Sequence, residues 1–592
     1  MLACWLLAFG CQRSEPMSTG PESAGPSEEP YFRDVAADLS IRFVDAPQNR
    51  EEFDLPAVMG SGCAMLDFNR DDRPDFLLLA SDSTADRVAL YRQNADGTFQ
   101  ECSADLGLAE VSGTGVAVGD ANNDGWPDLY ITSVQADSLW INQDGQSFAD
   151  QTAAAGIDNL RWGVAACWLD YDRDGWLDVF VTNYVDYAAR PCTRLGGGDR
   201  DFCNPGLFDR TPDVLYRNVS AEAGRLQFED VSTRTGISAG RSAGLAVTAA
   251  DLTRDGQIDL YVASDQHPNL LWVNDGGQFT EQAAARGCDV DLSGRPQASM
   301  GIALADVTGD EHEEVLVAHL DGETHAVYSG QPTGLFTDEC RVTRIGELTR
   351  PFTGFGIAAV DFDLDGRAEI LTANGRVQRD ESAEPSQQDF WKPYQQPLQL
   401  LNSDDASSGR YAPVAAVKPS TLSVARGIAV GDFDRDGGID ALVSTVGEPA
   451  IVLHDQNRRT GTHRALRLRV VDPNLGGRSC PGASLSVFSD QQAGRDEASL
   501  QLLHQLTFQP CQSYGSTHLD ELLIAVPVST TNVQIDVVWP NGAVAVESFR
   551  MNLPPESSAA VDVVLGRGDG VVKPVDAAAS AGAGSHVGSS TH

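Results

Sequence analysis

Basic residues are the first shortage. Lys and Arg total 42 against 85 Asp and Glu, so the 592-residue chain carries a formal charge of −43. Nucleic-acid binding needs a basic footprint that replaces phosphate counterions, and this balance excludes it. So much acid needs solvent or bound cations around it. The ten histidines are scattered, and no HExxH or CxxCH segment occurs, nor any phosphate-cradling Gly-rich loop. His518 follows "SYGST" but lacks a partner that would orient it as a base. His312 lies inside an acidic loop and is expected to face solvent. No catalytic constellation is identified, and the chain is read as a non-enzyme. No apolar run beyond the start is long enough to span a bilayer.

The start, "MLACWLLAFGC", is short and apolar and ends in small residues before Cys11. It resembles a bacterial lipoprotein signal, except that no Lys or Arg precedes the apolar run. Residues 1–11 are read as that signal. Residues 12–30, rich in Ser, Pro, Glu and Gly, are read as a disordered tether. The expected location is the outer membrane or cell surface, through a lipid on Cys11, or the extracellular space. With Cys4 and Cys11 in the leader, nine of the 11 cysteines remain. Export permits disulfides. Cys192 and Cys203 bracket a Gly-rich loop and form the first expected pair; Cys480 and Cys511 share the C-terminal region and form the second. Cys63 and Cys167 precede acidic loops in apolar strands and are expected to be small core residues.

What the chain has in abundance is one nine-residue element. "DYDRDGWLD" at 170–178 returns with small changes at 67–75, 120–128, 251–259, 306–314, 361–369 and 432–440. A small, apolar run precedes each copy ("GTGVAVGD", "ARGIAVGD") and a β-rich run follows ("DLYITS", "DVFVTN"). A third run often ends in Asn ("LWIN", "VLYRN", "LLWVN"), and a fourth opens on Phe ("SFADQTAAAGI"). Short strands between Gly, Asn and Asp turns read as antiparallel meanders of about four strands each. Seven such units predict an all-β protein, a seven-bladed β-propeller over 31–460. The last repeat is short by one strand. "YFRDVAADLSI" at 31–41 matches the fourth-strand segment and is expected to supply it, which removes an exposed sheet edge. Insertions interrupt the spacing around 192–203 and 380–397. Residues 461–565 lose the acidic loops but stay β-rich, and are expected to form a separate, small β-sandwich-like domain. Residues 566–592 read as a disordered tail.

In the loop at 170–178, Asp170, Asp172, Asp174 and Asp178 occupy positions 1, 3, 5 and 9, with Gly175 at 6. Hard oxygens at alternate positions of a tight loop suit calcium, and Gly permits the sharp turn that brings the position-7 carbonyl inward. The other candidate ligand sets are Asp67, Asn69, Asp71 and Asp75; Asp120, Asn122, Asp124 and Asp128; Asp251, Thr253, Asp255 and Asp259; Asp306, Thr308, Asp310 and Glu314; Asp361, Asp363, Asp365 and Glu369; and Asp432, Asp434, Asp436 and Asp440. Together they carry 24 carboxylates, which repel strongly unless cations sit among them. Up to seven calcium ions are expected, which would bring the formal charge from −43 to −29. The loop at 306 has Glu311 where Gly is expected, so it is ranked weakest; Asp72 at the same position of the first loop is tolerable.

The "GxAxxDxDxDGxxD" loops resemble FG-GAP/VCBS repeats, the blade units of integrin α-subunit propellers, over about 31–457. The resemblance implies calcium held at positions 1, 3, 5, 7 (backbone) and 9. The segment from 461 resembles the ASPIC/UnbV domain through "CQSYGSTHLDELLIAVP" and "IDVVWPNG", with "SCPGASLSVFSD" departing from the usual Gly-rich stretch. Together with "RPCTRLGGGDRDFCNPGLFDRTPDVLYRN", these look like the cartilage acidic protein group, extracellular in animals and exported in bacteria. The expected function is a calcium-stabilised surface module for binding, adhesion or scaffolding, engaging a protein or glycan through propeller-face loops and the insertion at 184–213. The alternative is an exported carbohydrate-active hydrolase or lyase, which would need a pocket combining acids outside the metal loops with Trp or Tyr. "RGDG" at 567–570 is short enough to arise by chance.

Overall fold

The computed structural model describes residues 30–48, 50–81, 87–193, 198–380, 389–403, 409–417, 421–456, 461–490, 500–540, 546–553, 560–568 and 573–574. The leader, the tether and most of the tail lie outside these residues. No helix among those described is long and apolar enough to cross a membrane.

The repeats fold as seven antiparallel four-strand units among the described residues, six as separate sheets and the first extended by two short strands, Cys511–Gln512 and Ser516–Thr517. Their inner strands are Cys63–Leu66, Gly115–Gly119, Gly163–Leu169, Gly244–Ala250, Ile302–Ala305, Gly354–Val360 and Ala425–Gly431. Each packs against the inner strands of the sheets before and after it, and the last returns to the first. The small residues of these runs now have a reason. A Cβ on Gly115 would meet the Val164 carbonyl at 2.1 Å, and one on Gly356 would meet the Arg426 carbonyl at 2.4 Å. Larger residues would push adjacent sheets apart at the axis. The sheet that ends the ring takes its outer strand from the start of the chain. Phe32–Asp34 pairs with Ile451–Asp455, Phe32 opposite Asp455.

Fourth strands are shorter than their sequence pattern suggests. In "SFADQTAAAGI" only Phe148–Asp150 is strand; Thr152–Ala155 forms a helical turn closed by Gly156 at φ 83°. An alanine run followed by a left-handed Gly favours that turn over more strand.

The C-terminal region is two packed sheets. His463–Asp472 pairs in parallel with Val561–Gly566 and antiparallel with Leu522–Pro527. The second sheet runs in the order Leu500–Phe508, Ala483–Asp490, Asn532–Val538, Val546–Asn552. Leu466, Leu468, Leu485, Val487, Val533, Ile535 and Phe549 fill the space between them.

This region does not stand apart, as the sequence reading expected. Residues 509–519 leave it and run into the propeller axis. Thr517 pairs in parallel with Ala64 of the first inner strand. The Ser513 N–H donates to the Ile302 carbonyl at 2.7 Å, and its hydroxyl accepts from Ile357 and Ile428, both at 3.2 Å. Val116 donates to the Gly515 carbonyl, Gln509 donates to the Ala249 carbonyl, and Gly515 approaches the Val164 carbonyl. The segment touches all seven inner strands and satisfies backbone groups that face the axis without a neighbouring strand. His518 and its neighbours serve here too: His518 Nδ1 accepts from the Val430 N–H, and Ser516 Oγ accepts from Cys63.

Cys192 and Cys203 are joined by a disulfide. Cys480 and Cys511 are not. Cys480 lies in the sandwich core, while Cys511 rides the axial segment into the propeller core beside Cys167. Proximity in sequence misled because the chain between them crosses from one core to the other. Cys63 and Cys167 are buried.

Candidate metal centres

Each acidic loop joins an inner strand to the second strand of its sheet. Position 1 follows the inner strand, and position 9 opens the second: Asp75, Asp128, Asp178, Asp259, Glu314, Glu369 and Asp440 each begin one. Since the sheets share one sense around the axis, all seven loops lie on one face.

The loops share a hydrogen-bond frame. The position-6 N–H donates to the position-1 carboxylate, as from Gly175 to Asp170 at 3.0 Å and from Gly366 to Asp361 at 2.8 Å. In most, the position-7 N–H donates to the position-5 carboxylate, as from Trp126 to Asp124 at 2.9 Å. Where position 9 is Asp it accepts from the loop and from the third strand, whereas Glu314 and Glu369 accept from the loop. Asp178 takes the Tyr171 N–H at 3.1 Å and the Asn218 N–H at 2.8 Å. Position 6 is left-handed throughout, which Gly175 adopts freely at φ 86° and Glu311 adopts under strain at φ 70°.

Four loops bring three acids within 4.8 Å of one another: Asp170, Asp172 and Asp178; Asp306, Asp310 and Glu314; Asp361, Asp363 and Asp365; Asp432, Asp434 and Asp440. A further group, Asp434, Asp436 and His454, shares residues with the last. In the first two loops the Asn turns to its position-5 neighbour, Asn69 to Asp71 at 3.0 Å and Asn122 to Asp124 at 2.7 Å. In the loop at 251, Asp251 takes the Asp255 and Gly256 N–H groups, and Asp259 takes the Thr253 N–H. At 306, Thr308 donates to Glu314, and Asp306 already accepts from Gly309, Asp310 and Glu311.

The electrostatics are those of buried acids crowded together. Burial, reinforced by neighbouring acids, pushes Asp75 and Glu314 up to about 8 and Asp170 and Asp259 to about 7. Asp128, Asp178, Glu369 and Asp440 rise well above the carboxylate range, burial again first. Several candidate ligand atoms are buried with no protein partner: Asn69 Oδ1, Asp170 Oδ1, Asp172 Oδ1, Asp363 Oδ1, Glu369 Oε1 and Asp432 Oδ1. Buried oxygens without donors are costly. A hard cation fits this donor set.

Three features escaped the sequence reading. The first is position 4, left-handed in every loop, whose side chain in three of them donates forward to the next loop. Asn123 donates to the Gly175 carbonyl, Arg173 to that of Gly256, and Arg435 to that of Asp72. The second is the Asn that ends third strands. Its amide braces the preceding loop at position 2: Asn142 to Phe68, Asn218 to Ala121, Asn274 to Tyr171. Gln93 does the same for Phe433 and so joins the first sheet to the last. The third is arginine. Arg217 pairs with Asp172 at 2.6 Å and Asp174 at 2.9 Å. From the C-terminal domain Arg467 binds Asp432, Arg469 binds Asp72 at 3.1 Å, and Arg478 donates to Asn123. "HRALRLRVV", three arginines on one strand of so acidic a chain, was the available signal.

Comparisons with known proteins agree with the repeat reading. The FG-GAP-like repeat model matches 67–131, 120–181 and 251–317, which hold five of the seven loops. Cartilage acidic protein 1 of Mus musculus is 23% identical over 586 residues, covering 93% of this chain and 78% of that protein. The Xenopus tropicalis protein is 22% identical, covering 96% and 80%. Among solved structures, a lectin of Agrocybe aegerita specific for non-reducing terminal N-acetylglucosamine aligns with TM-score 0.37 and 14% identity, covering 67% of this chain and 92% of that one. BBS1N in complex with ARL6DN aligns with TM-score 0.38 and 11% identity, covering 72% and 97%.

Proposed function

We propose that this chain, an FG-GAP-like repeat protein similar to cartilage acidic protein 1, is an exported calcium-binding propeller that serves as a binding or scaffold module at the cell surface or outside it. The observation that carries the metal reading is the set of buried, donorless oxygens at ligand positions, above all Asp170 Oδ1, Glu369 Oε1 and Asp432 Oδ1. Calcium takes six to eight oxygen ligands and would give these unpartnered oxygens a positive neighbour. Its role is structural: a cation held by both ends of a hairpin loop favours the folded state by mass action. Positions 1, 3, 5 and 9 would hold it, with Asp432 shared between the ion and Arg467.

The binding role rests on the face opposite the loops. There the disulfide-closed insertion meets the insertion before 397. Asp201 is buried between them, accepting from the Tyr394 hydroxyl at 2.7 Å and the Arg379 N–H at 3.1 Å, while Phe202 stacks on Trp391. Loops fixed on a rigid scaffold in this way suit recognition.

Thermal unfolding in calcium and then in chelator, with a metal-to-protein count, tests the reading. A large loss of stability in chelator with several ions bound is the expected result. No bound metal and no shift would reduce the acidic loops to solvated turns.

A further inference from the structure

A cavity of about 360 Å³ opens on the propeller axis at the face away from the acidic loops. Its position follows from strand direction. Met300 and Phe355 stand where inner strands begin, whereas Asp306 and Asp361 follow their ends. Tyr184, Asp265 and Leu320 follow second strands, which run back toward the same mouth. Tyr514, on the axial segment, packs edge-on beneath Phe355 at 5.0 Å and donates to the Met59 carbonyl at 3.2 Å. The volume lies within the roughly 300–1,000 Å³ of small-molecule sites.

The lining is of two kinds. Leu55, Met59, Met300, Leu320, Phe355 and Val377 give apolar walls. Asn204, Gln266, Gln378 and Asp265 add polar groups, with Asn204 held by the disulfide-closed insertion. Free charge is scarce. Asp321 accepts from Thr353 at 2.9 Å and pairs with Arg376, which leaves no second carboxylate free for two-acid hydrolysis. Asp265 accepts the Tyr184 hydroxyl at 2.6 Å, and burial raises it to about 7. Amides and one weakly charged carboxyl above an apolar floor match a ligand with many hydroxyls around an apolar ring face. A strongly cationic or anionic ligand would find no committed counter-ion.

We propose that this axial cavity is a saccharide site, taking one hexopyranose, free or at the end of a glycan, with the ring face toward the half-buried Leu320 and Val377 and hydroxyls toward Asp265, Gln266 and Gln378. It rests on the binding-module reading above and specifies its ligand class.

The test is saturation-transfer NMR on the full calcium-treated chain. The probes are the methyl glycosides of glucose, galactose, mannose, fucose, N-acetylglucosamine and N-acetylgalactosamine, with n-butylamine as a basic side-chain mimic. At least one glycoside should show transfer. Gln378→Ala and Gln266→Ala should weaken it about tenfold, and Gln378→Trp, which fills the mouth, should abolish it while thermal stability and metal count stay unchanged. Should a variant misfold, competition with a glycoside on the parent chain still reads out the site. Silence from every glycoside, transfer unaffected by all three variants, or capture of butylamine alone would each overturn the proposal. Silence with calcium-dependent stability intact sinks this inference only; saccharide binding with no bound metal sinks the metal reading only.

Discussion

Arg435 in the last acidic loop donates through Nε to the backbone carbonyl of Asp72 in the first, 3.1 Å away and 363 residues earlier in the chain. Its guanidinium also meets both carboxylate oxygens of Glu521 at 2.7 Å. One side chain therefore adds to the ring closure and ties it to the C-terminal domain. Replacing it with Ala leaves Glu521, 5% exposed, with only the more distant Arg467 at 3.4 Å. Losing a charged hydrogen bond to a buried partner costs about 1–3 kcal/mol. Arg435→Ala should lower stability by that amount in urea unfolding, with Arg435→Lys intermediate because one ammonium does not span both partners. A change below ~0.3 kcal/mol would show that the closure lies elsewhere.

The loops should not respond equally to mutation. In the loop at 361, Asp363 Oδ1 and Glu369 Oε1 have no partner. At 306 the position-1 carboxylate already accepts three N–H groups, and the Thr308 hydroxyl points at Glu314 rather than away from it. Glu369→Gln should remove about one ion from the metal count and shrink the stabilisation by calcium, by about 2.7 kcal/mol if that site sits at a hundred times its Kd. Asp306→Asn should change both readouts less. Equal losses would mean that prior hydrogen bonding does not grade the sites.

Acidity gives an independent handle. Asp75 and Glu314 rise to about 8 and Asp259 to about 7 when no cation is present. A carboxyl whose folded pKa lies above its unfolded value binds its proton more tightly when folded. Its contribution is present at low pH and is lost as pH rises toward the folded value. The chelated protein should therefore gain stability as pH falls from 8 to about 5. The calcium-loaded protein should show the opposite trend, since protons compete with the ion. Melting temperatures across this range, with and without chelator, should cross or converge near the acid end; parallel curves would contradict the shared role of these acids.

Much of the architecture was legible because it is local and repeated. The period of the Asp-rich element, the β-runs on either side and the orphan strand at 31–41 are properties of short windows, and repetition multiplies a weak signal. What escaped depends on contacts distant in sequence. Asn142 looks like a strand end until Phe68, 74 residues earlier, is seen to need its amide. Arg467 reads as one exposed strand residue until Asp432 is placed against it. The pairing of Cys480 with Cys511 failed for the same reason, since no local window shows that "PCQSYGST" belongs to the propeller axis.

That axial segment makes the sharpest prediction. Gly515 has φ 54°, and a Cβ there would meet the Gly115 Cα and the carbonyls of Thr114 and Val164, all at 3.1 Å. Gly276 provides a matched control: its φ is 60° and its Cβ would meet nothing within 4 Å. Gly276→Ala should cost only the backbone strain of a left-handed residue, about 1 kcal/mol. Gly515→Ala adds overpacking against three fixed backbone groups and should cost about 1–3 kcal/mol more. The effect should also be qualitative. With the segment seated, propeller and sandwich share hydrogen bonds and should unfold as one unit; with it displaced, calorimetry should resolve two transitions, the later one being whichever domain is intrinsically stronger. Equal costs for the two substitutions would mean that the axis has room to spare, and that the hydrogen bonds of Ser513 and Thr517, rather than close packing, hold the segment in place.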